Sequence, residues 1–221
     1  MMRLNIVLVS TVIAGAVLAT SVRADCGGQH RSSAAPMSAD ERAALSSDEI
    51  FIRGAYLMNQ AEVRLGQLAL DRSSHPDVQN FARHMVNDHG AVLRRLERIA
   101  DRNSIPLPRR MDPVHRDIER SLSQLSGAAF DREFMRVMVK DHANAVMDLQ
   151  EHAANAKSPD VRAFAQELLP SFRDHFQMAQ QVAASAGADT QWAAAINAPG
   201  DTGAERSFNV RADRNSDIMQ R

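Results

Sequence analysis

The stretch Met85-Val86-Asn87-Asp88-His89 decides how this chain is read. It has a close echo in Met138-Val139-Lys140-Asp141-His142 and a looser one in Phe172-Arg173-Asp174-His175. Each His falls on the apolar seam of a helical pattern, the stripe that faces partner helices. The seam through His89 is Val78, Ala82, Met85, Val92, Leu96 and Ile99. The seam through His142 is Met135, Met138, Ala145 and Leu149, with His152 further along. The seam through His175 is Val161, Ala165, Leu168, Phe172, Ala179 and Val182. A fourth pattern, Phe51, Ala55, Met58, Leu65 and Ala69, carries Glu62 as its one charged member.

Working outward, the punctuation sets the helix limits. Ser46-Ser47-Asp48-Glu49 is a capping box that opens a helix running to about Arg72. Pro76 sits at a first-turn position and opens a second helix, to about Asp101. Residues 102–127 form a long connection. Within it Asp112-Pro113 caps a short helix with Val114, Ile118, Leu122 and Leu125 on one side. The third long helix runs from about Ala128 to Lys157, and Ser158-Pro159-Asp160 caps a fourth that ends near Ala184. Pro170 lies inside that last helix and is expected to kink it before His175.

The two halves repeat at an offset of 83 residues: Pro76-Asp77-Val78 with Pro159-Asp160-Val161, and Phe81-Ala82 with Phe164-Ala165. Short links inside each half force antiparallel hairpins. The long link between halves can run the length of the bundle and make the second and third long helices parallel. The expected fold is therefore all-α, a ferritin-like four-helix bundle with one long crossover containing a short helix. Counted from their helix starts, Glu62 and His142 stand 14 residues in, His89 13 and His175 16. At about 1.5 Å per residue these heights agree to within one turn.

Four seam-facing polar groups at one height allow two readings. In the first, Glu62, His89, His142 and His175 hold one transition-metal ion, since imidazole nitrogen and carboxylate oxygen suit Zn, Fe, Mn or Cu. In the second, they form a structural polar layer that hydrogen-bonds to itself and fixes the register of the bundle. Asp88, Asp141 and Asp174 lie about 100° round the helix from their histidines. They are either solvated or partners of a histidine on an adjacent helix. His152 reads as a core-edge histidine, the methionines at 58, 85, 135 and 138 as core, and His84, Asp88 and Arg95 as solvated face.

Composition bounds the rest. The chain is 44% hydrophobic but only 5% aromatic, so the core is expected to rest on Leu, Val, Met and Ala. A net charge of -1 argues against a nucleic-acid partner. One Cys leaves no intrachain disulfide and no thiolate cluster. Arg3, the apolar run Ile6–Ala19 and Val22-Arg23-Ala24 read as a signal peptide over residues 1–24, too short for a comfortable membrane span. The mature protein is thus expected in the periplasm without a transmembrane span. Asp25 before Cys26 argues against a lipid anchor. Residues 25–46 read as a flexible linker, 47–185 as the bundle, and 186–221 as a disordered tail in which only Trp192 is a candidate to dock. Neither a nucleophile elbow nor a phosphate-binding loop is present. A binding or envelope protein is favoured over an enzyme, with metal-based redox catalysis a third reading. Nothing in the sequence names a partner or an oligomeric state.

Ala61-Glu62, Phe81-Ala82 leading to Asp88-His89, Gly127-Ala128-Ala129-Phe130-Asp131, His142, and Phe164-Ala165 leading to Leu169-Pro170 and His175 together resemble the exported bacterial proteins of domain-of-unknown-function family 4142. The similarity covers roughly residues 47–184. It implies a ferritin-like fold and an exported protein, and carries no activity with it. The chain departs from the di-iron ferritin pattern, which places a Glu three residues before the ligating His. Here those positions are Val86, Val139 and Phe172. Iron storage and ferroxidase chemistry are therefore not expected.

Overall fold

The computed structural model describes residues 46–193. The expected signal peptide, most of the linker and the tail beyond residue 193 lie outside the described residues. The described part contains five α-helices and no strand: α1 Ser47–Arg72, α2 Pro76–Arg102, α3 Pro113–Ser123, α4 Gly127–Asn155 and α5 Pro159–Ser185.

Local chemistry sets these boundaries. The capping box of α1 forms as read. Ser46 Oγ accepts the Glu49 N–H at 3.3 Å, and Glu49 Oε2 accepts the Ser46 N–H at 2.8 Å. Asp112 Oδ1 accepts the His115 N–H at 3.1 Å and starts α3. Gly127 opens α4 at φ 53°, a conformation that costs a residue with a Cβ. The start of α5 differs from expectation. The Ser158 side chain makes no cap hydrogen bond. Instead the buried Asp48 of α1 reaches across and accepts the Ser158 N–H at 2.6 Å. The cap of the fourth long helix is thus supplied by the first.

End-to-end contacts fix the topology. Phe51, early in α1, stacks on His152, late in α4, with ring centroids 3.9 Å apart. Arg102 at the end of α2 pairs with Asp160 at the start of α5 at 2.9 Å. Asp77 at the start of α2 accepts from Ser185 at the end of α5 at 2.7 Å. So α1 runs antiparallel to α4, and α2 antiparallel to α5. Within each hairpin the short link makes the two helices antiparallel, so α2 and α4 are parallel, joined by the long crossover. That crossover lies along α1: Arg64 pairs with Glu119 of α3 at 2.6 Å, and Arg53 donates to the Pro106 carbonyl.

All seven seam positions of α2 are buried. The buried face of α1 is wider than its seam and takes in Ile52, Asn59, Ala61 and Gly66, because α1 meets α2, α4 and the crossover. A Cβ built on Gly66 would lie 2.8 Å from Val86 Cγ2, so the two helices approach there as closely as a glycine allows. The core contains the expected Leu, Val, Met and Ala, and aromatics in addition. Its largest fully buried side chains include Phe81, Phe130, Phe134, Phe172 and Phe176. Aromatics are few, but they are concentrated inside, where each buries more apolar area than any aliphatic side chain. Val114, expected on the covered side of α3, is 43% exposed, and Trp192 is likewise 43% exposed, but its neighbour Ala193 is fully buried in the core, so residues 186–193 of the expected tail pack against the bundle. Helix α5 continues through Pro170.

Candidate metal centre

Helix α2 brings His89, α4 brings His142 and α5 brings His175 to one level inside the bundle. Their ring centroids lie 5.4 Å (His89–His142), 5.4 Å (His89–His175) and 5.7 Å (His142–His175) apart. Each offers one ring nitrogen to a common volume, with the three atoms within 4.8 Å of one another. All three residues are buried. Phe172 packs against His89 at 5.3 Å and against His175 at 5.5 Å, and Phe81 meets the His142 ring at 6.1 Å, so the surroundings are apolar and aromatic.

One nitrogen of each imidazole is engaged by the protein. His89 Nδ1 lies 2.8 Å from Asn59 Oδ1. His142 Nδ1 lies 2.8 Å from the Met138 carbonyl, one turn earlier in the same helix. His175 Nε2 lies 3.1 Å from Asp88 Oδ2 on α2. All three partners are acceptors; Asn59 is oriented by its own Nδ2 donating to the Ala55 carbonyl at 2.7 Å. The engaged nitrogens must therefore carry the protons. The lone pairs belong to His89 Nε2, His142 Nε2 and His175 Nδ1. These three atoms are buried and have no hydrogen-bond partner among the described residues.

The electrostatics keep the rings neutral. Burial, reinforced by His142 and His175, lowers the His89 pKa well below 6.5. Burial, with a contribution from His175, lowers that of His142 to about 3, against the opposing pull of its bond to Met138. His175 is lowered by burial as well, less freely because Asp88 opposes the shift. Neutral imidazole is the form that ligates metal.

Glu62 occupies a different place. Its Oε1 stands 3.9 Å from His142 Nδ1, the nitrogen already committed to Met138. It is not among the three that share the common volume. Both its oxygens are buried and unpartnered. Burial, with the charge of Asp141 nearby, raises its pKa well above 4.5. With His142 held neutral, the 3.9 Å contact is not an ion pair.

The remaining histidines and acids sort by position. His152 stacks on Phe51 at the bundle end and donates to the Asp148 carbonyl. Of the three Asp residues that precede a seam histidine, Asp88 bridges to the neighbouring helix, Asp141 turns toward His115 of the crossover at 3.8 Å, and Asp174 is exposed. Asn59 was not singled out from sequence. The available signal was an Asn in a helix interior, where its side chain competes with the backbone, three residues before Glu62 and so on the same face.

The family described as "Domain of unknown function (DUF4142)" matches residues 33–182. The chain belongs to this family. A comparison with curated proteins finds no match. Among solved structures, CopM in the Cu(I)-bound form is 21% identical, with a TM-score of 0.52 over 62% of this chain and 95% of that one. CopM in the Cu(II)-bound form is 19% identical, with a TM-score of 0.53 over 62% and 96%. A secreted-type DUF305 protein from Streptomyces coelicolor is 14% identical, with a TM-score of 0.56 over 65% and 96%. At these identities the likeness is one of fold. Among the described residues, no helix is long and apolar enough to cross a membrane.

Proposed function

We propose that this DUF4142 chain is an exported metal-binding protein that holds one ion on His89, His142 and His175, with copper in its Cu(I) state as the ion it suits best. The observation that supports this reading is the set of three buried lone pairs, at His89 Nε2, His142 Nε2 and His175 Nδ1, none of which has a partner among the described residues. A structural polar layer would satisfy its own members, because an unpaired buried polar group costs about 1–3 kcal/mol. Here three imidazole nitrogens and both Glu62 oxygens are left over. The partners Asn59, Met138 and Asp88 hold each ring in one tautomer and orientation, as the outer partners of a ligating histidine do.

The choice of ion follows from charge and donor type. The donors are neutral and the site is buried, so a monovalent ion is less costly to desolvate than a divalent one. Glu62, buried on the neighbouring helix face, can contribute a single compensating charge as its carboxylate. Imidazole serves copper well, and copper leads the first-row order among divalent ions too. CopM, which shares the fold, was solved in Cu(I)- and Cu(II)-bound forms, which makes copper the first ion to test. Export rests on the leader read in residues 1–24.

The test is competitive uptake. The untagged, metal-stripped protein is offered Cu(I), Zn(II), Mn(II) and Fe(II) together without oxygen, and its content is read by elemental mass spectrometry. One equivalent of copper, lost in His89→Ala and in His142→Ala, is expected. Absence of any retained metal overturns the reading and returns these residues to a structural layer.

A further inference from the structure

His175 is engaged on both of its sides. Its Nδ1 belongs to the buried centre, while its Nε2 points to a second group formed with His84 and Asp88. In that group the ligand atoms again lie within 4.8 Å of one another. His84 Nε2 is 3.3 Å from Asp88 Oδ2, and the His84 and His175 rings meet edge to face at 5.3 Å. His84 and Asp88 stand one turn apart on α2, and their side chains are 45% and 43% exposed, whereas that of His175 is 4% exposed. Beside His84 a groove of about 480 Å³ opens between α2 and α5. Asp77, Phe81 and Met178 line it, and Phe81 also forms part of the wall of the buried centre through its contact with His142.

We propose that His84 and Asp88 form a surface capture site that loads the buried centre, with His175 as the ligand common to both. This rests on the metal-binding reading of His89, His142 and His175. The buried centre is closed by Phe172 and the bundle, so an ion must be taken from water by groups that water reaches. Asp88 supplies the charge that attracts a cation, and His84 supplies a donor at the groove. A neutral imidazole has one lone pair. His175 therefore serves one side at a time, toward His84 and Asp88 or toward His89 and His142. Hand-over breaks the bonds to His84 and Asp88 and forms those to His89 and His142. His175 changes tautomer in the same step, losing the proton at Nδ1 and gaining one at Nε2 beside Asp88, with no electron transferred and no net proton change. Once the ion is inside, Asp88 accepts the outward N–H of His175 and holds the ring in place. The arrangement sets a limit of one ion per chain across the two groups, because both need His175.

The probe is Cu(I), presented without oxygen to the full-length chain as a complex with a chromophoric chelator, and transfer is followed by stopped-flow absorbance. His84→Ala is expected to bind the same single equivalent at equilibrium as the unaltered chain, but to load it roughly tenfold or more slowly, which corresponds to holding the captured ion less well by about 1.4 kcal/mol once the surface donor is gone. His89→Ala is expected to lose retention. Loading of His84→Ala at the unaltered rate overturns the capture site while leaving the buried centre intact. Two equivalents bound at once by the unaltered chain overturn the shared-ligand relation. No uptake by the unaltered chain overturns the metal reading itself, and the capture site with it.

Discussion

Asn59 Oδ1 lies 2.8 Å from His89 Nδ1, and the Asn59 amide nitrogen is tied to the Ala55 carbonyl at 2.7 Å. One side chain on α1 therefore dictates the tautomer of a ring on α2, and with it the direction in which His89 offers its lone pair. Asn59→Ala leaves His89 Nδ1 buried without an acceptor. Copper affinity is expected to fall roughly 10–100-fold, read by chelator competition. The metal-free fold is expected to lose about 1–3 kcal/mol, read by urea unfolding. Unchanged affinity would show that the amide does not orient the ring.

The pH dependence of the metal-free protein combines two opposite terms. Burial raises the pKa of Glu62 in the fold, so the unfolded chain ionises first and stability falls as pH rises above 4.5. The histidines are shifted the other way. The unfolded chain takes up protons below 6.5 while the buried rings do not, so stability falls as pH drops below 6.5. His142, held at about 3, contributes up to about 1.4 kcal/mol per pH unit over that range. Glu62→Gln removes only the first term. The metal-free variant is expected to be more stable than the unaltered chain at about pH 8, with the advantage shrinking toward about pH 5. Urea unfolding of both proteins across that range is the measurement, and a constant difference would mean that Glu62 is already ionised in the fold.

The close approach of α1 to α2 at Gly66 is a packing requirement. An added methyl group would sit 2.8 Å from Val86 Cγ2 and 3.3 Å from the Ala82 carbonyl. Val86 is β-branched and has little rotamer freedom to move aside. Gly66→Ala gains helix propensity and still is expected to lose about 1–3 kcal/mol through overpacking, seen as a lower melting temperature of the metal-free protein. A rise in melting temperature would show that the hairpin has slack at this level.

Asp48 caps a helix 110 residues away. Asp48→Ala is expected to cost about 1–2 kcal/mol and to increase hydrogen exchange at the start of α5 more than at the start of α1, where Ser46 and Glu49 still close the capping box. Equal effects at both helix starts would contradict the cross-helix role.

The bundle was legible because its signals are local and repeated. Pro76, Pro113 and Pro159 each stand at the first position of a helix, and the seam of α2 is buried at every position read. Height along the bundle was legible too, since helix rise is constant, and so His89, His142 and His175 meet. Height does not say on which side of a ring a neighbour stands. Glu62 has the expected level, but it faces the nitrogen of His142 that Met138 already holds. The offset of about 100° between Asp88 and His89 placed Asp88 away from the seam, and left open whether it met water or another helix. It meets both, His175 on α5 and solvent. The cross-helix cap by Asp48 has no sequence signal, because it joins residues brought together only by the antiparallel packing of α1 and α4. Phenylalanine was discounted from its low frequency, whereas what matters in a core is where each ring goes.

The most direct measurement is histidine ring-nitrogen NMR of the labelled, metal-free protein before and after one equivalent of Cu(I). Before addition, His89 and His142 are predicted as Nδ1–H tautomers and His175 as the Nε2–H tautomer. After addition, the signals of His89 Nε2, His142 Nε2 and His175 Nδ1 move to metal-bound positions. Their partner nitrogens stay protonated, and His75, His115 and His152 are unchanged. Binding at any other set of nitrogens, or no shift in these three, would contradict the account.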